Sequence, residues 1–217
     1  MGPNGSGKTT LLRCLAGIRA VQAGEVLDGG QPRPPRKRPD PRQIAYLPQE
    51  PLAEPGTLVG ELLLLGRSAH VRGNLALRLS GRGSAADAQA METALEQVDL
   101  AGTADQPIEH LSGGQRRRAF LGMVLAQQAR VLLLDEPTAS LDLPQADRLL
   151  GLLAQLARDH DLLVVAALHD LPMALRHADE IAVLGHGRLL ARGAPGSHDV
   201  QVGLRTAFGA DIDRLAR

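Results

Sequence analysis

Apolar residues along this chain fall into two kinds of run. Val131–Leu134 and Leu162–Leu168 are continuous, the pattern of strands buried on both faces of a parallel sheet. Gln43–Leu47 is a third β-prone run, and Gly24–Asp28 is a shorter one that ends at Gly29-Gly30. Ile181–Leu184 and Arg188–Ala191 flank Gly185-His186-Gly187 as a hairpin. Helical spacing governs Thr9–Ala16 (ending at Gly17), Leu58–Leu65 with Thr57 as its cap, and Ser84–Val98, where Ala90, Ala94, Leu95 and Val98 recur on one face. It also governs Arg116–Gln127 and segments of about 144–159 and about 171–177. Strand alternates with helix in the second half, whereas helices crowd together between about 57 and 128. The pattern predicts an α/β core with a mainly parallel sheet and an inserted helical subdomain. Residues 66–83 carry few ordering signals, and 31–42, with five prolines and five basic residues, read as a solvated surface loop.

Composition narrows the classes. The 217 residues are 44% hydrophobic but only 1% aromatic (Tyr46, Phe120 and Phe208), so the core must be aliphatic. The net charge is zero, which argues against a nucleic-acid partner held by the chain's own field. A single cysteine, Cys14, excludes an internal disulfide framework and fits a reducing compartment. No run approaches the ~18 apolar residues of a membrane span, and no apolar leader is visible. Any membrane association is therefore expected through a partner.

Three strings carry chemistry. Gly2-Pro-Asn4-Gly5-Ser6-Gly7-Lys8-Thr9, followed by Thr10, fills the pattern G-x-x-x-x-G-K-[ST]. Its glycines let backbone N–H groups turn around phosphate oxygens, Lys8 offers a point charge to the β- and γ-phosphates, and Thr9 offers a hydroxyl to Mg²⁺. Val131–Leu134 then delivers Asp135 and Glu136 to the end of a strand. There one carboxylate can hold Mg²⁺ and the next can polarise an attacking water. Two acids after a strand can equally cap a helix, but beside a phosphate loop the catalytic reading is favoured. Leu111-Ser112-Gly113-Gly114-Gln115 precedes a helical run, so Ser112 can cap that helix and its N-terminus can face an anion. Two isolated residues, Gln49 after one strand and His169 after another, would be uninformative by themselves. The other histidines (His70, His110, His160, His177, His186 and His198) show no metal-ligand spacing.

With these strings in order, the chain resembles the nucleotide-binding subunit of an ATP-binding cassette (ABC) transporter. Gly2–Thr9 matches that family's Walker A loop, Leu132–Glu136 its Walker B strand and Leu111–Gln115 its signature string. Gln49 falls at the Q-loop, Ser140-Leu141-Asp142 at the D-loop, and His169 at the switch histidine. The resemblance implies a P-loop NTPase core over 1–50 and 129–217, with a helical signalling subdomain over about 51–128. It implies ATP and Mg²⁺ as cofactors. Asn4, Gly5, Ser6, Gly7, Lys8, Thr9 and Thr10 would hold the nucleotide, and Thr9, Gln49 and Asp135 the metal. Glu136, His169, Lys8 and Gln49 would be catalytic. Ser112, Gly113, Gly114, Gln115 and Asp142 would meet nucleotide across a head-to-tail dimer of cassettes.

Polytopic permease subunits would be direct partners, and a periplasmic or surface solute-binding protein an indirect one. The location would be the cytoplasmic face of a bacterial inner membrane. Residues 117–142, Leu168–Leu171, Gly187–Pro195, Gly56–Leu62 and Leu65–Arg67 are similar in texture to importers of iron–siderophore complexes, haem and cobalamin. Another solute remains open at this point. A DNA-repair or translation cassette fits less well, because the chain has neither a long coiled-coil insertion nor a second cassette.

The family places two or three strands and an adenine-stacking aromatic before its Walker A loop, whereas only Met1 precedes Gly2. The resemblance therefore implies N-terminal strands missing beside the Walker B strand, with an internal methionine taken as the start. An unstable or inactive 217-residue form is expected, and an active upstream-extended one.

Overall fold

The computed structural model describes residues 1–34, 37–70 and 84–209. Helix α1 is Lys8–Leu15, and the strands β1 (Leu27–Asp28) and β2 (Gln31–Pro32) form a minimal hairpin. Next come β3 (Ile44–Leu47), α2 (Val59–Gly66), α3 (Ala85–Gln97) and α4 (Gly113–Ala126). The second half runs β4 (Val131–Asp135), α5 (Leu143–His160), β5 (Leu163–Ala167), α6 (Leu171–His177), β6 (Ile181–Gly185), β7 (Arg188–Gly193) and α7 (His198–Phe208). Short 3₁₀ turns occupy Arg67–Ala69 and Ile108–His110.

β3, β4 and β5 make a parallel three-stranded sheet in that order, with Leu133 opposite Tyr46 on one side and Val165 on the other. The period of two along a strand sorts side chains to opposite faces. Leu133 meets Leu12 and Ala16 of α1 together with Tyr46 and Val165, and Ala167 completes that layer. Leu132 and Leu134 face the other way, into the main core with Ala45, Leu47, Phe120, Val124, Leu149 and Leu153. Because β4 is covered on both faces, its sequence is an unbroken apolar run until Asp135, which is itself fully buried. The sheet thus carries Leu47, Asp135 and Ala167 to one edge, and the loops that follow them lie together.

Several expectations need correction. Thr57 does not cap α2: its hydroxyl donates to the Glu54 carbonyl at 2.6 Å. The carboxylate of Glu61 instead accepts from the backbone N–H of Leu58 at 2.9 Å. Residues 31–42 are not all loop, because Gly29 and Gly30, at φ 57° and 80°, turn the chain so that Gln31–Pro32 pairs with β1. Helix α7 had no counterpart in the sequence reading, and its buried Val200, Gly203 and Leu204 seat it against the β6–β7 hairpin.

The expected vacancy beside β4 is misplaced, since β3 and β5 flank that strand on both sides. Met1 instead pairs with β6: its amine donates to the Ala182 carbonyl at 2.6 Å, and the Leu184 N–H donates to the Met1 carbonyl at 2.7 Å. Among the described residues β6 and β7 form an antiparallel pair separate from the β3–β4–β5 sheet. Of the stretch 66–83, residues 71–83 lie outside the described residues, while Gly66–His70 are ordered around a buried Arg67.

Helices α2 and α4 approach backbone to backbone at Gly66. A Cβ there would stand 2.1 Å from the Met123 carbonyl oxygen, so the two helices would have to separate. Gly66→Ala is expected to destabilise the protein by about 1–3 kcal/mol, the usual range for overpacking. Chemical denaturation would read this as a lower midpoint at unchanged slope.

Candidate functional site

The phosphate loop lies against β6 and the hairpin turn. Gly187 N–H donates to the Ser6 carbonyl at 3.2 Å, which ties the loop to the β6–β7 turn. Gly5 and Gly7 take φ of 77° and 100°, values that only glycine adopts freely, and Gly7 starts α1 without any side-chain cap. The first N–H groups of α1 therefore have no cap of their own, and the helix dipole adds partial positive charge at that end. Asn4, Gly5 and Thr10 are exposed there, while Ser6 and Lys8 are buried. The Ser6 hydroxyl is buried with no partner.

The Lys8 ammonium donates to the carbonyls of Gly2 at 2.8 Å and Pro3 at 3.1 Å. Burial lowers its pKa from the ordinary lysine value, opposed by the charges of Glu136 and then Asp135.

Three strand ends converge on this loop. Thr9 Oγ1 donates to Asp135 Oδ1 at 3.1 Å, and Tyr46 Oη donates to Asp135 Oδ2 at 3.4 Å. Thr9 and Asp135 therefore present a hydroxyl and a carboxylate side by side, a hard-oxygen pair of the kind that holds Mg²⁺ along with phosphate oxygens. Among the described residues no group of three or more His, Cys, Asp or Glu side chains could form a metal site unaided. With the orphaned Ser6 hydroxyl beside the uncapped helix start, the donor set fits a metal–phosphate ligand better than a bare ion.

Glu136 sits one residue beyond Asp135 in the left-handed region, at φ 51°. Its Oε2 accepts from Gln49 Nε2 at 2.8 Å, and its Oε1 is hydrogen-bonded to His169 Nε2. Gln49 follows β3, Glu136 follows β4 and His169 follows β5, so parallel register alone brings them together.

The signature segment stands apart. Ser112 Oγ accepts from Gln115 N at 3.3 Å and Gln115 Oε1 accepts from Ser112 N at 3.0 Å, a reciprocal cap for α4. Among the described residues no hydrogen bond joins Ser112–Gln115 to Gly2–Thr9. Gly114 lies beside Leu141, and Asp142 Oδ1 caps α5 by accepting from Gln145 N at 2.8 Å.

The sequence reading overlooked two residues. Tyr46 was taken only as part of a strand, and its hydroxyl reaches Asp135. Arg117, one of three arginines after the signature string, was given no role, yet it is 7% exposed and bonds to backbone carbonyls around the site. An arginine within a polar run gives no sequence signal that its head is buried.

The family model described as ABC transporter matches residues 1–139. The chain is 38% identical over 213 residues to the cobalamin import ATP-binding protein BtuD of Halobacterium salinarum, covering 98% of this chain and 52% of that protein. It is 38% identical over 196 residues to the ferric enterobactin transport ATP-binding protein FepC of Escherichia coli, covering 90% and 70% respectively. It is 39% identical over 196 residues to the hemin import ATP-binding protein HmuV of Streptomyces coelicolor, covering 90% and 67%. The chain thus spans about half the length of the cobalamin relative and about two thirds of the others.

Among solved structures, it superposes on a metal-chelate type ABC transporter in an inward-facing conformation with a TM-score of 0.77 at 27% identity, covering 96% of this chain and 75% of that one. A nucleotide-free ATP-binding cassette from an ABC transporter shares the fold with a TM-score of 0.78 at 23% identity, over 94% and 81% of the two chains.

Proposed function

This chain belongs to the ABC transporter family, and from that premise we propose, in place of the inactive form expected from the sequence alone, that it binds and hydrolyses ATP as the motor subunit of an importer for a metal chelate. The observation that carries the reading is the meeting of Gln49, Glu136 and His169 beside a glycine-rich loop that bears Lys8 and Thr9.

The uncapped N–H groups of α1 and the Lys8 ammonium would hold the β- and γ-phosphates. Thr9 and Asp135, with Gln49 nearby, would hold Mg²⁺, which when bound neutralises phosphate charge. Glu136 would accept a proton from the water that attacks the γ-phosphorus as the bond to the bridging oxygen breaks, leaving ADP and phosphate. His169 and Gln49 fix the Glu136 carboxylate, so it needs little reorganisation. Ser112–Gln115 lie apart from this cluster, which supports a site completed by the signature helix of a second cassette. The helices between about 51 and 128 would meet the permease at the cytoplasmic face. No helix among the described residues is long and apolar enough to cross a membrane.

The metal-chelate assignment draws on relatives named for cobalamin, ferric enterobactin and hemin import. Two measurements separate its layers. Fluorescent-nucleotide titration is expected to show ATP binding that Lys8→Ala weakens at least about tenfold, the equivalent of roughly 1.4 kcal/mol. Absence of binding by the unmutated protein would end the ATP reading. Expression in cells lacking this subunit is expected to restore uptake of a ferric siderophore, haem or cobalamin. ATP binding with uptake of none of the three would end only the solute assignment.

A further inference from the structure

Arg117 lies on α4, five residues beyond the Ser112 cap, and its guanidinium turns inward. Its Nη1 donates to the carbonyls of Pro48 at 3.1 Å and Gln49 at 2.7 Å. Nη2 donates to the carbonyls of Asp135 at 2.8 Å and Glu136 at 2.5 Å, and Nε reaches the Pro137 carbonyl at 3.4 Å. One planar fork thus engages five backbone carbonyls in two loops.

Among the described residues no carboxylate lies within hydrogen-bonding distance of the Arg117 guanidinium, whose partners are backbone carbonyls. Burial lowers the pKa of its guanidinium, against the opposing charges of Asp135 and Glu136, which lie close through their backbones. An arginine retains its charge under these conditions because its ordinary pKa is so high.

The loop it grips is strained. Glu136 holds φ 51° although it is neither glycine nor asparagine. Such a conformation persists only where the surroundings over-determine it. The Glu136 N–H is anchored to the Ala167 carbonyl at 3.1 Å, and Arg117 supplies the acceptor-side anchors at residues 135, 136 and 137.

Resting on the hydrolytic reading above, we propose that Arg117 is a positioning residue for ATP hydrolysis: its guanidinium fastens the Gln49 and Glu136 turns to the signature helix, so that the Glu136 carboxylate stays between Gln49 and His169. Movement of α4, whose capped N-terminus holds Ser112–Gln115, is then passed directly to the backbone of both catalytic turns. Arg117 touches no reacting atom. Its action is entirely through Gln49 and Glu136.

Two variants and two readouts test this. Arg117→Gln keeps a polar head but spans only one loop, and Arg117→Lys keeps the stem and charge without the fork. Both are expected to lower kcat about ten- to a hundredfold, the scale of a misplaced catalytic group, with ATP affinity changed less than about threefold. Amide hydrogen exchange is expected to rise at Gln49, Glu50, Glu136 and residues 138–140 while α4 and β4 stay protected.

Unchanged kcat in the glutamine variant, full rescue by lysine, or a uniform rise in exchange with parallel loss of ATP binding would each overturn the proposal. If the unmutated protein binds ATP without hydrolysing it, the hydrolytic reading fails, and local exchange in the two variants still decides whether Arg117 fastens the turns. The lysine variant serves where the glutamine variant does not fold.

Discussion

Glu136→Gln is expected to lower ATP turnover at least about 10²–10³-fold, within the range attributed to a positioned proton acceptor, while ATP affinity holds. Glutamine is close to isosteric with glutamate, so its amide oxygen can still accept from Gln49 Nε2, and its NH₂ can donate to His169 when that imidazole presents an unprotonated nitrogen. The substitution therefore removes basicity with little change of shape. The phosphate loop, Lys8 and the Thr9–Asp135 pair stay intact, so binding should persist. If a second copy completes the site, the variant should also accumulate as a nucleotide-bound dimer on size exclusion in ATP. Phosphate release at a rate near that of the unmutated protein would remove Glu136 from the chemistry. Loss of turnover together with ATP binding would mean that glutamine disturbed the turn at φ 51° rather than the proton transfer.

The same turn shows where sequence reading succeeds and where it stops. Val131–Leu134 reads as a doubly covered strand because covering both faces demands apolar residues at every position, and Leu132, Leu133 and Leu134 are all buried. From there the placement of Asp135 and Glu136 at the strand's end follows. Gln49 and His169 meet Glu136 because β3, β4 and β5 are parallel neighbours, an order the sequence did not disclose, since missing strands were expected beside the Walker B strand. The left-handed backbone of Glu136 carries no such signal, since it is imposed by Arg117 and Ala167 from distant segments. Thr57 misled for a related reason: a hydroxyl before an apolar helix is a good cap, but Glu61 supplied the cap from inside the helix and left Thr57 to the Glu54 carbonyl. The neighbours of β4 were misjudged because strand order is a tertiary property. Only the pairing of Met1 with β6 and the double flanking of β4 reveal it.

The largest stability effect is expected at Arg67, which joins three helices. Its Nε donates to Asp87 Oδ1 at 2.8 Å, and its Nη1 donates to the Ala126 carbonyl at 2.9 Å and to Gln128 Oε1 at 2.7 Å. Both members of the ion pair are buried. Asp87 also accepts from the Ser84 N–H at 3.0 Å and hydroxyl at 2.8 Å, so it caps α3 as well as pairing. Arg67→Met keeps the volume but strands a buried carboxylate, and the expected loss is about 3–5 kcal/mol by chemical denaturation. Arg67→Met with Asp87→Leu should be milder than the sum of the single changes, because no buried charge is left without a partner. The cap would still be lost, at about 1 kcal/mol.

The pH dependence distinguishes this from simple loss of packing. Burial alone would push the Asp87 carboxyl up, but hydrogen bonds from Arg67 and Ser84, with the arginine's charge, bring it below the ordinary carboxylate value. In the unmutated protein its stabilisation is therefore full above that ordinary value and is lost as pH falls through the lowered one. Without Arg67 burial is less opposed and protonation relieves the stranded charge, so the penalty of Arg67→Met should shrink on acidification. A penalty independent of pH would show that packing of the arginine stem, and not its charge, holds α2, α3 and α4 together.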